Sequence, residues 1–369
     1  MIKNIVYDFG GVLVQYNFMD FFKELLRSEN KAKWFLHNVF TTELNAEMDR
    51  GVYEPSYFFK LQKRVWPEYR EALDAFDKRY TDIFTHETEG MRQSMLDMKA
   101  RGYRILGLSN WSARVYDVMN KFDIFEIIEE HLISKDVHQL KPEAEIYHSF
   151  LNKFGVKAEE CVFIDDKPEN IKSARRVGMY GIVFSNTRQM MHELEPLLLP
   201  YTFEPAQSED EPEIWDIVHQ AALNMVAKGR QQWNENYPPR ESIGRDIDAG
   251  NGYVLKLNGE IVGYTAITFD GEPSYDQLQG WWLSHLPYAT IHRTAIAQGQ
   301  HGKGLARLLL IEAGRECRKR KYPSIRIDTN HDNVEMLHLI DSLGFKRCGL
   351  CYYDHGGERV ERIACEKLL

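Results

Sequence analysis

The chain has 369 residues, enough for about two domains of ordinary size, and 43% of its side chains are hydrophobic and 27% charged. A net charge of −9 argues against a basic surface for nucleic acid, and no apolar stretch is long enough to span a membrane. The N-terminus enters a core strand at once rather than a signal peptide. Five cysteines without regular spacing fit a reducing compartment, so we expect a cytoplasmic protein.

Three apolar runs in the first half predict buried parallel strands, at residues 2–7, 104–108 and 161–164. Polar residues accompany these runs in the chain order Asp8, Ser109, Lys141 and Asp165–Asp166. Ligands of open α/β sheets bind at the carboxyl ends of such strands, so we expect these side chains to form one site. Carboxylates that can attack phosphorus or hold Mg²⁺ suit phosphoryl transfer when a hydroxyl and a compact cation accompany them.

These segments and their order resemble those of the haloacid dehalogenase-like hydrolases over roughly residues 1–200. The resemblance implies a Rossmann-like parallel sheet in which Asp8 forms an aspartyl-phosphate. Ser109, Asn110 and Lys141 would hold the substrate phosphate. The Mg²⁺ ligands implied are Asp8, the Gly10 backbone carbonyl, Asp165 and Asp166.

Gly10 departs from the pattern of family phosphatases, which usually carry an aspartate there as general acid and base. Its side chain can move no proton, although glycine also occurs here in relatives that resemble sugar-phosphate phosphatases. Haloacid dehalogenases lack this acid too, but they would not need the pair Asp165–Asp166 to hold a metal. The resemblance therefore favours a phosphatase, although the missing acid argues against fast turnover.

A long segment at about residues 16–88 is helical in pattern and rich in aromatic residues, which is typical of a small domain with its own core. In terms of the resemblance it is a helical cap inserted after the first strand. Such lids close over substrate and exclude water. We expect the cap to set the choice of substrate, which its residues do not reveal.

Three prolines between residues 195 and 205 mark a boundary near residue 200, so the second domain would span 201–369. There the turn Asn258–Gly259 joins two predicted strands, at residues 252–257 and 260–269. A later strand, 290–296, runs into a glycine-rich turn at the start of a predicted helix, 307–320. The backbone N–H groups at such a helix N-terminus suit a pyrophosphate.

This turn and the segments 333–336 and 343–345 resemble the GNAT-type N-acetyltransferases, an α+β fold, over roughly residues 201–369. The resemblance implies that acetyl-CoA is the acetyl donor and that its pantetheine arm contacts Asn333. The backbone around Ile296 would orient the thioester. The pyrophosphate would lie on the phosphate loop, which we define as His301, Gly302, Lys303, Gly304, Leu305 and Ala306.

Ile340 stands where many family members carry a tyrosine that protonates the departing thiolate. Tyr352 or Tyr353 on the following strand could replace it, since a phenol of pKa about 10 is a reasonable acid toward a thiolate. His292 is a candidate general base beside the acyl site, and strand alternation leaves its direction open. Aromatic side chains are expected in loops that frame the amine pocket: Trp233, Tyr237, Trp281 and Trp282.

The sequence thus predicts a bifunctional cytoplasmic enzyme, a Mg²⁺-dependent phosphatase for a small phosphate monoester followed by an acetyl-CoA-dependent N-acetyltransferase. We expect small-molecule phosphate and amine substrates and no nucleic-acid or membrane partner; the oligomeric state stays open. Three alternatives remain. Only the transferase is active and the first domain binds phosphate or regulates, or only the phosphatase is active and the second domain senses acyl-CoA, or neither domain is catalytic.

Overall fold

The backbone, described by a computed structural model over residues 1–355 and 358–369, divides into two units. The N-terminal unit is residues 1–195 and the C-terminal unit residues 196–369. All five cysteines are buried free thiols. Among the described residues, no helix is both long and apolar enough to cross a membrane.

A parallel sheet forms the centre of the N-terminal unit. The strands of this unit are β1 Asn4–Tyr7, β2 Val14–Tyr16, β3 Phe84–Glu87, β4 Arg104–Ser109, β5 Glu130–Ile133, β6 Cys161–Asp165 and β7 Tyr180–Val183. The sheet has the order β5-β4-β1-β6-β7, and β2 pairs with β3 as a separate antiparallel ribbon. The three predicted strands are confirmed as β4, β1 and β6, side by side, with Asn4 opposite both Arg104 and Cys161. All three therefore end at the same edge of the sheet.

Helices cover this sheet because its central strands are buried along their whole length. The helices are α1 Phe18–Leu26, α2 Glu29–Asn38, α3 Thr42–Arg50, α4 Pro55–Val65, α5 Arg70–Lys78, α6 Met91–Ala100, α7 Val115–Met119, α8 Ser134–Val137, α9 Ala144–Phe154, α10 Pro168–Arg176 and α11 Thr187–Leu198. Tyr147 and Phe150 of α9 pack with strand residues such as Val6 and Phe163 in one buried cluster. The division between the two units falls inside α11.

The predicted cap is the insert of α1 to α5 between the two strands of the ribbon. Its own core is aromatic, as expected, with Phe22, Phe35, Phe40 and Phe76 in mutual ring contact. At the end of α3, Gly51 has φ 71° and packs directly on the backbone of Lys135 in α8. Arg50 adds an ion pair to Glu143, at 2.7 Å. One helix of the insert is thus attached to the layer that covers the sheet.

A mixed sheet forms the centre of the C-terminal unit. Its strands are β8 Tyr201–Pro205, β9 Gly252–Leu257, β10 Glu260–Thr268, β11 Gln279–Gly280, β12 Tyr288–Ile296, β13 Ser324–Thr329, β14 Lys346–His355 and β15 Glu358–Leu368. Their order is β11-β14-β15-β13-β12-β10-β9-β8, antiparallel except for β12 with β13. The predicted hairpin is confirmed, because Asn258 and Gly259 have φ values of 51° and 90° between β9 and β10.

Four helices accompany this sheet among the described residues: α12 Glu211–Ala227, α13 Arg240–Asp248, α14 Leu305–Lys319 and α15 Val334–Ser342. The helix predicted at 307–320 begins two residues earlier, at Leu305, because Leu305 is buried and Gly304 caps it in the left-handed region. Two buried clusters form the core: one includes Ile291, Leu310 and Ile340, and the other Ile214 and Tyr264. The fold is therefore the predicted α+β arrangement after a Rossmann-like one.

The parallel strands β12 and β13 separate part of the way along their length. Their pairing runs from Tyr288 with Ser324 to Ile291 with Ile327, but β12 continues to Ile296 beside β10. A bulge marks the separation, because Arg293 and Thr294 both stand opposite Thr265 and Arg293 has φ 50°. An opening results between the two strands, and the site of the C-terminal unit lies there.

Candidate active sites

Asp8 lies at the carboxyl end of β1 and is only 7% exposed. Its Oδ1 accepts hydrogen bonds from Ser109 Oγ and from the Phe9 N–H, both at 2.7 Å, and Lys141 Nζ lies 2.9 Å away. Burial raises the pKa of Asp8 to about 6, against the opposing charge of Lys141. The structure therefore brings together the predicted nucleophile, hydroxyl and cation on one carboxylate oxygen.

Asp165 holds Lys141 in place. Lys141 Nζ donates to Asp165 Oδ2 at 2.7 Å and to the Leu108 carbonyl at 3.0 Å. Burial alone would lower the pKa of Lys141, but Asp165 and then Asp8 raise it above its usual value, so the cation persists. Asp165 also accepts hydrogen bonds from Asn170 Nδ2 at 3.0 Å and from the Lys167 N–H at 2.8 Å. We expected Asp165 as a metal ligand; its bonds also make it the partner that positions the lysine.

Asp166 differs from Asp165 in its hydrogen bonding. Its Oδ1 is buried without a hydrogen-bond partner, and burial raises its pKa, with Asp165 adding to the effect. One oxygen each from Asp8, Asp165 and Asp166 lies within 4.8 Å of the others. Gly11, at φ 81°, allows this approach, since a Cβ there would lie 2.9 Å from Asp166 Oδ2. A buried carboxylate oxygen that nothing satisfies, beside a second carboxylate, fits a hard cation such as Mg²⁺.

Asn110 was expected to bind the substrate phosphate, but its amide is engaged with the backbone of Lys141. Asn110 Nδ2 donates to the Lys141 carbonyl at 2.9 Å, and Asn110 Oδ1 accepts from the Lys141 N–H at 2.8 Å. This two-way pair fixes the loop that carries the lysine. The side chain of Asn110 therefore positions a binding group.

A cavity of about 220 Å³ opens over Asp8, and part of its wall comes from the insert. Aromatic rings line it, among them Tyr16, Tyr80 and Trp111. Asn45 and Asp49, one turn apart on α3, also line it and were not predicted. Their spacing of four places both on one helix face, and two polar residues on a face in an aromatic-rich insert were the available signal.

In the C-terminal unit, the opening between β12 and β13 collects polar groups. His292 lines it, so the base candidate faces the site; its Nε2 lies 3.4 Å from Glu272. Burial lowers the pKa of His292, so the ring is neutral at pH 7 and able to accept a proton. Arg293, the bulge residue, is held by Asp246 through two bonds of 2.6 Å. Asp246 therefore fixes the bulge that directly follows His292.

Asp328 on β13 is a buried carboxylate that was not predicted. It accepts hydrogen bonds from Tyr353 at 2.8 Å and Tyr275 at 2.9 Å, and Arg362 lies 3.3 Å away. Tyr352 has the opposite direction: its hydroxyl contacts Gln279 and Glu361 instead. Since successive side chains of a strand point to opposite faces, only one of these tyrosines can face Asp328, and it is Tyr353. The structure thus places Tyr352 away from the site for which it was the predicted acid.

The phosphate loop leads into α14. Gly302 and Gly304 have φ values of 77° and 73°, and Lys303 Nζ bonds Gln300 at 2.8 Å. Such a turn presents the first N–H groups of the helix toward solvent. His301 and Lys303 are exposed, whereas Leu305 is buried and Ala306 partly so. Ile296, at the end of β12, is buried and pairs with Gly263.

Asn333 serves as the N-cap of α15. Its Oδ1 accepts from the Met336 N–H at 3.4 Å and its Nδ2 donates to Gln232 at 3.2 Å. It lines the opening but is 5% exposed, so its first function is structural. The predicted aromatic frame divides: Trp233 and Tyr237 line the opening, Trp281 is 88% exposed, and Trp282 packs on Tyr275.

Comparison with known proteins gives each unit its own relatives. Residues 2–178 match the family model described as haloacid dehalogenase-like hydrolase, and residues 192–345 match that of the acetyltransferase (GNAT) family. Over 201 residues, or 53% of the chain, the sequence is 24% identical to the sesquiterpene phosphatase astK of Aspergillus oryzae and covers 96% of it.

Two further relatives are covered less fully. Flavin mononucleotide hydrolase 1 of Arabidopsis thaliana is 27% identical over 109 residues, which are 30% of this chain and 44% of that protein. Mycothiol acetyltransferase of Acidothermus cellulolyticus is 25% identical over 193 residues, which are 50% of this chain and 58% of that protein. The chain therefore spans less than two thirds of either of these two relatives.

Proposed function

We propose that this chain, in which a haloacid dehalogenase-like hydrolase is joined to a GNAT-family acetyltransferase, is a bifunctional enzyme. Its first activity is the Mg²⁺-dependent hydrolysis of a small phosphate monoester, assigned to residues 1–200. Its second, assigned to residues 201–369, is the transfer of an acetyl group from acetyl-CoA to an amine. Five buried free thiols support a reducing, cytoplasmic location.

The observation that supports the phosphatase is the convergence of Ser109 and Lys141 on one oxygen of Asp8. All of these bonds use Oδ1, which leaves Oδ2 to attack phosphorus and form an aspartyl-phosphate. Ser109 and Lys141 then donate to the oxygens of the transferring group. Mg²⁺, held by Asp8, the Gly10 carbonyl and Asp166, would offset the repulsion between carboxylate and phosphate. A cavity of about 220 Å³ with aromatic walls limits the ester to a small one.

Phosphate release from small monoesters, with and without Mg²⁺, tests this assignment. Asp8→Asn removes the nucleophile at nearly constant shape and should abolish release. Asp97→Asn removes an exposed aspartate of α6 and should leave it unchanged. Activity that survives Asp8→Asn or EDTA would contradict the mechanism. Binding of phosphate without turnover of any ester would instead favour the alternative that only the transferase is active.

The opening between β12 and β13 supports the acetyltransferase, together with the phosphate loop that follows β12 in the chain. There we assign His292, which lines the opening, to take a proton from the attacking amine, directly or through a water. Tyr353, whose hydroxyl donates to Asp328 in the wall of the opening, is the phenol that we assign to protonate the departing thiolate. Acetyl-CoA would supply the acetyl group, with its pyrophosphate on the N–H groups of the phosphate loop.

Calorimetric titration of the full chain with acetyl-CoA tests the second assignment. Gly304→Glu places bulk and negative charge against the pyrophosphate and should abolish the binding heat. Gly250→Glu is the control, since Gly250 has a similar φ, 67° against 73°, and has open space around it. Equal loss in both variants would show that backbone strain, rather than the loop's contact with the cofactor, caused the effect.

A further inference from the structure

Asp49, on α3 of the insert, is a carboxyl group that the mechanism above does not use. It lines the same cavity as Asp8, Ser109 and Lys141. Two groups expected near the leaving oxygen cannot readily give it a proton there, because Gly10 carries no side chain and Lys141 is tied to two carboxylates. Asp49 can supply a proton to a leaving oxygen only if its carboxyl group is held in this cavity.

The backbone of Asp49 is fixed to the loop that follows Ser109. Ser134 Oγ donates to the Asp49 carbonyl, and the same Oγ accepts from the Trp111 N–H at 2.9 Å. Arg50 and Gly51, the next two residues, contact Glu143 and Lys135, as described above. The backbone of Asp49 is therefore held by α8 and by the loop after Ser109, although Asp49 itself belongs to the insert.

The side chain of Asp49 is fixed by a hydrogen bond, and its surroundings favour the protonated carboxyl group. Asn45 Nδ2 donates to Asp49 Oδ2 at 2.9 Å. Burial raises the pKa of Asp49 well above its usual value, opposed by the Ser112 N–H and by the charge of Lys167. Asp8 raises it further, and the other titratable groups that face it are the phenols of Tyr16 and Tyr80.

Neither phenol is a good alternative. Burial raises the pKa of both tyrosines, which makes them weaker acids, and Tyr80 Oη is already bonded to Trp111 Nε1 at 2.7 Å. Lys167 also lines the cavity, but ammonium groups are in general weaker acids than carboxylic acids, which makes it a poorer proton donor than Asp49. Asp49 is the carboxyl group of the cavity that lies outside the cluster of Asp8, Asp165 and Asp166.

We propose that Asp49 is the general acid and base of the phosphatase, supplied by the insert in place of the side chain that Gly10 lacks. This rests on the proposed function. In the first step Asp8 Oδ2 bonds to phosphorus, the bond from phosphorus to the ester oxygen breaks, and the Asp49 proton passes to that oxygen. In the second step water attacks the phosphorus of the aspartyl-phosphate and gives its proton to Asp49, which frees phosphate and restores both carboxyl groups.

Leaving-group dependence tests the proposal. p-Nitrophenyl phosphate releases a much weaker base than phenyl phosphate does, so its first step needs little protonation. Asp49→Asn should slow the first turnover of phenyl phosphate by about 10²–10⁴-fold, the usual share of general acid–base catalysis, and that of p-nitrophenyl phosphate far less. Because the second step also lacks its base, p-nitrophenyl phosphate should give a burst of nitrophenolate equal to the enzyme concentration.

Two further variants keep the test decisive. Glu47→Gln removes an exposed carboxylate from the same helix and should behave as the unaltered enzyme. Asp49→Ala should be rescued in part by added formate, which a merely structural loss would not be. Equal losses for both esters, or no loss for either, would overturn the assignment of Asp49. If the unaltered enzyme hydrolyses neither ester nor any alkyl phosphate, the proposed function fails first, and this assignment with it.

Discussion

Gly10 and the two rings beside it set the chemistry that the phosphatase site can use. A Cβ on Gly10 would lie 3.3 Å from the Tyr16 ring and 3.6 Å from Trp111, so the aromatic side chains occupy the space of the usual aspartate. The φ of Gly10 is outside the left-handed region, so its backbone would accept another residue. Tyr16 is 40% exposed and can turn away.

We therefore predict that Gly10→Asp folds and binds metal but adds little to the rate of the unaltered enzyme, because Asp49 already moves the proton. In an Asp49→Asn background the same change should recover part of the missing 10²–10⁴-fold. Initial rates of phosphate release from phenyl phosphate measure both effects. A full gain in the unaltered background would show instead that the proton donor was missing until then.

The neighbouring tyrosines of β14 give a second prediction at this scale. Tyr353→Phe should lower acetyl transfer by about 10²-fold or more, because it removes the hydroxyl on Asp328 beside the opening. Tyr352→Phe, which removes a hydroxyl from the opposite face, should change the rate little. Release of the CoA thiol with an acceptor found in a screen of small amines is the measurement. Equal losses would refute the choice of Tyr353.

Among the helices and strands, the position of α3 has the largest effect on the phosphatase site. Gly51 ends it with φ 71°, and an added Cβ would lie 2.4 Å from Lys135 Cβ and 2.6 Å from its Cα. Since one of these neighbours is backbone, the helix and α8 would have to move apart. Asp49, two residues earlier, would move with the helix.

We predict that Gly51→Ala destabilises the N-terminal unit by about 2–5 kcal/mol, the sum of overpacking and a left-handed backbone, and slows the phosphatase. Gly155→Ala at the end of α9 is the matched control: φ is 62° and no atom lies within 4 Å of the added Cβ, so only the backbone cost of about 1–2 kcal/mol applies. The difference is measured as the urea midpoint of each variant, with phosphatase activity as the probe of unfolding. Similar midpoints for the two variants would mean that the contact with Lys135 yields easily.

The elements near each site were predictable where local pattern decides them. Apolar runs located β1, β4 and β6, and Asn258–Gly259 located a hairpin, because those signals are confined to a few residues. The spacing of Asn45 and Asp49 could indicate a polar helix face, but the sequence does not show that this face is turned toward Asp8. The opening in the second sheet depends on a bulge at Arg293, a non-glycine residue at positive φ, which no sequence period indicates.

The whole molecule holds two units with separate cores, one around Val6 and Phe163 and the others around Ile291 and Tyr264. Coupling between sites requires a ligand whose affinity differs between two global states, and no described element of either unit suggests a second state. The two activities should therefore be energetically independent.

We predict that Mg²⁺ with vanadate, as a phosphate mimic in the Asp8 site, leaves the Kd of acetyl-CoA unchanged within error. Calorimetric titration of the full chain in both conditions provides the comparison, with Gly304→Glu as the blank for heats unrelated to the phosphate loop. A several-fold shift in Kd would favour a regulatory N-terminal unit over a second enzyme.

The attachment of α3 to α8 also bears on how quickly substrate can enter. We expected a lid, and lids open and close in microseconds to milliseconds. Here α3, which forms one wall of the cavity, is attached to α8. Tyr16 and Asp166 also line a wide groove of about 1320 Å³ outside the cavity. We expect passage from that groove to need only the rotation of Tyr16, which lines both spaces and is 40% exposed, a motion of picoseconds to nanoseconds. The slow step of turnover should then be bond chemistry, and added viscosity should leave kcat unchanged.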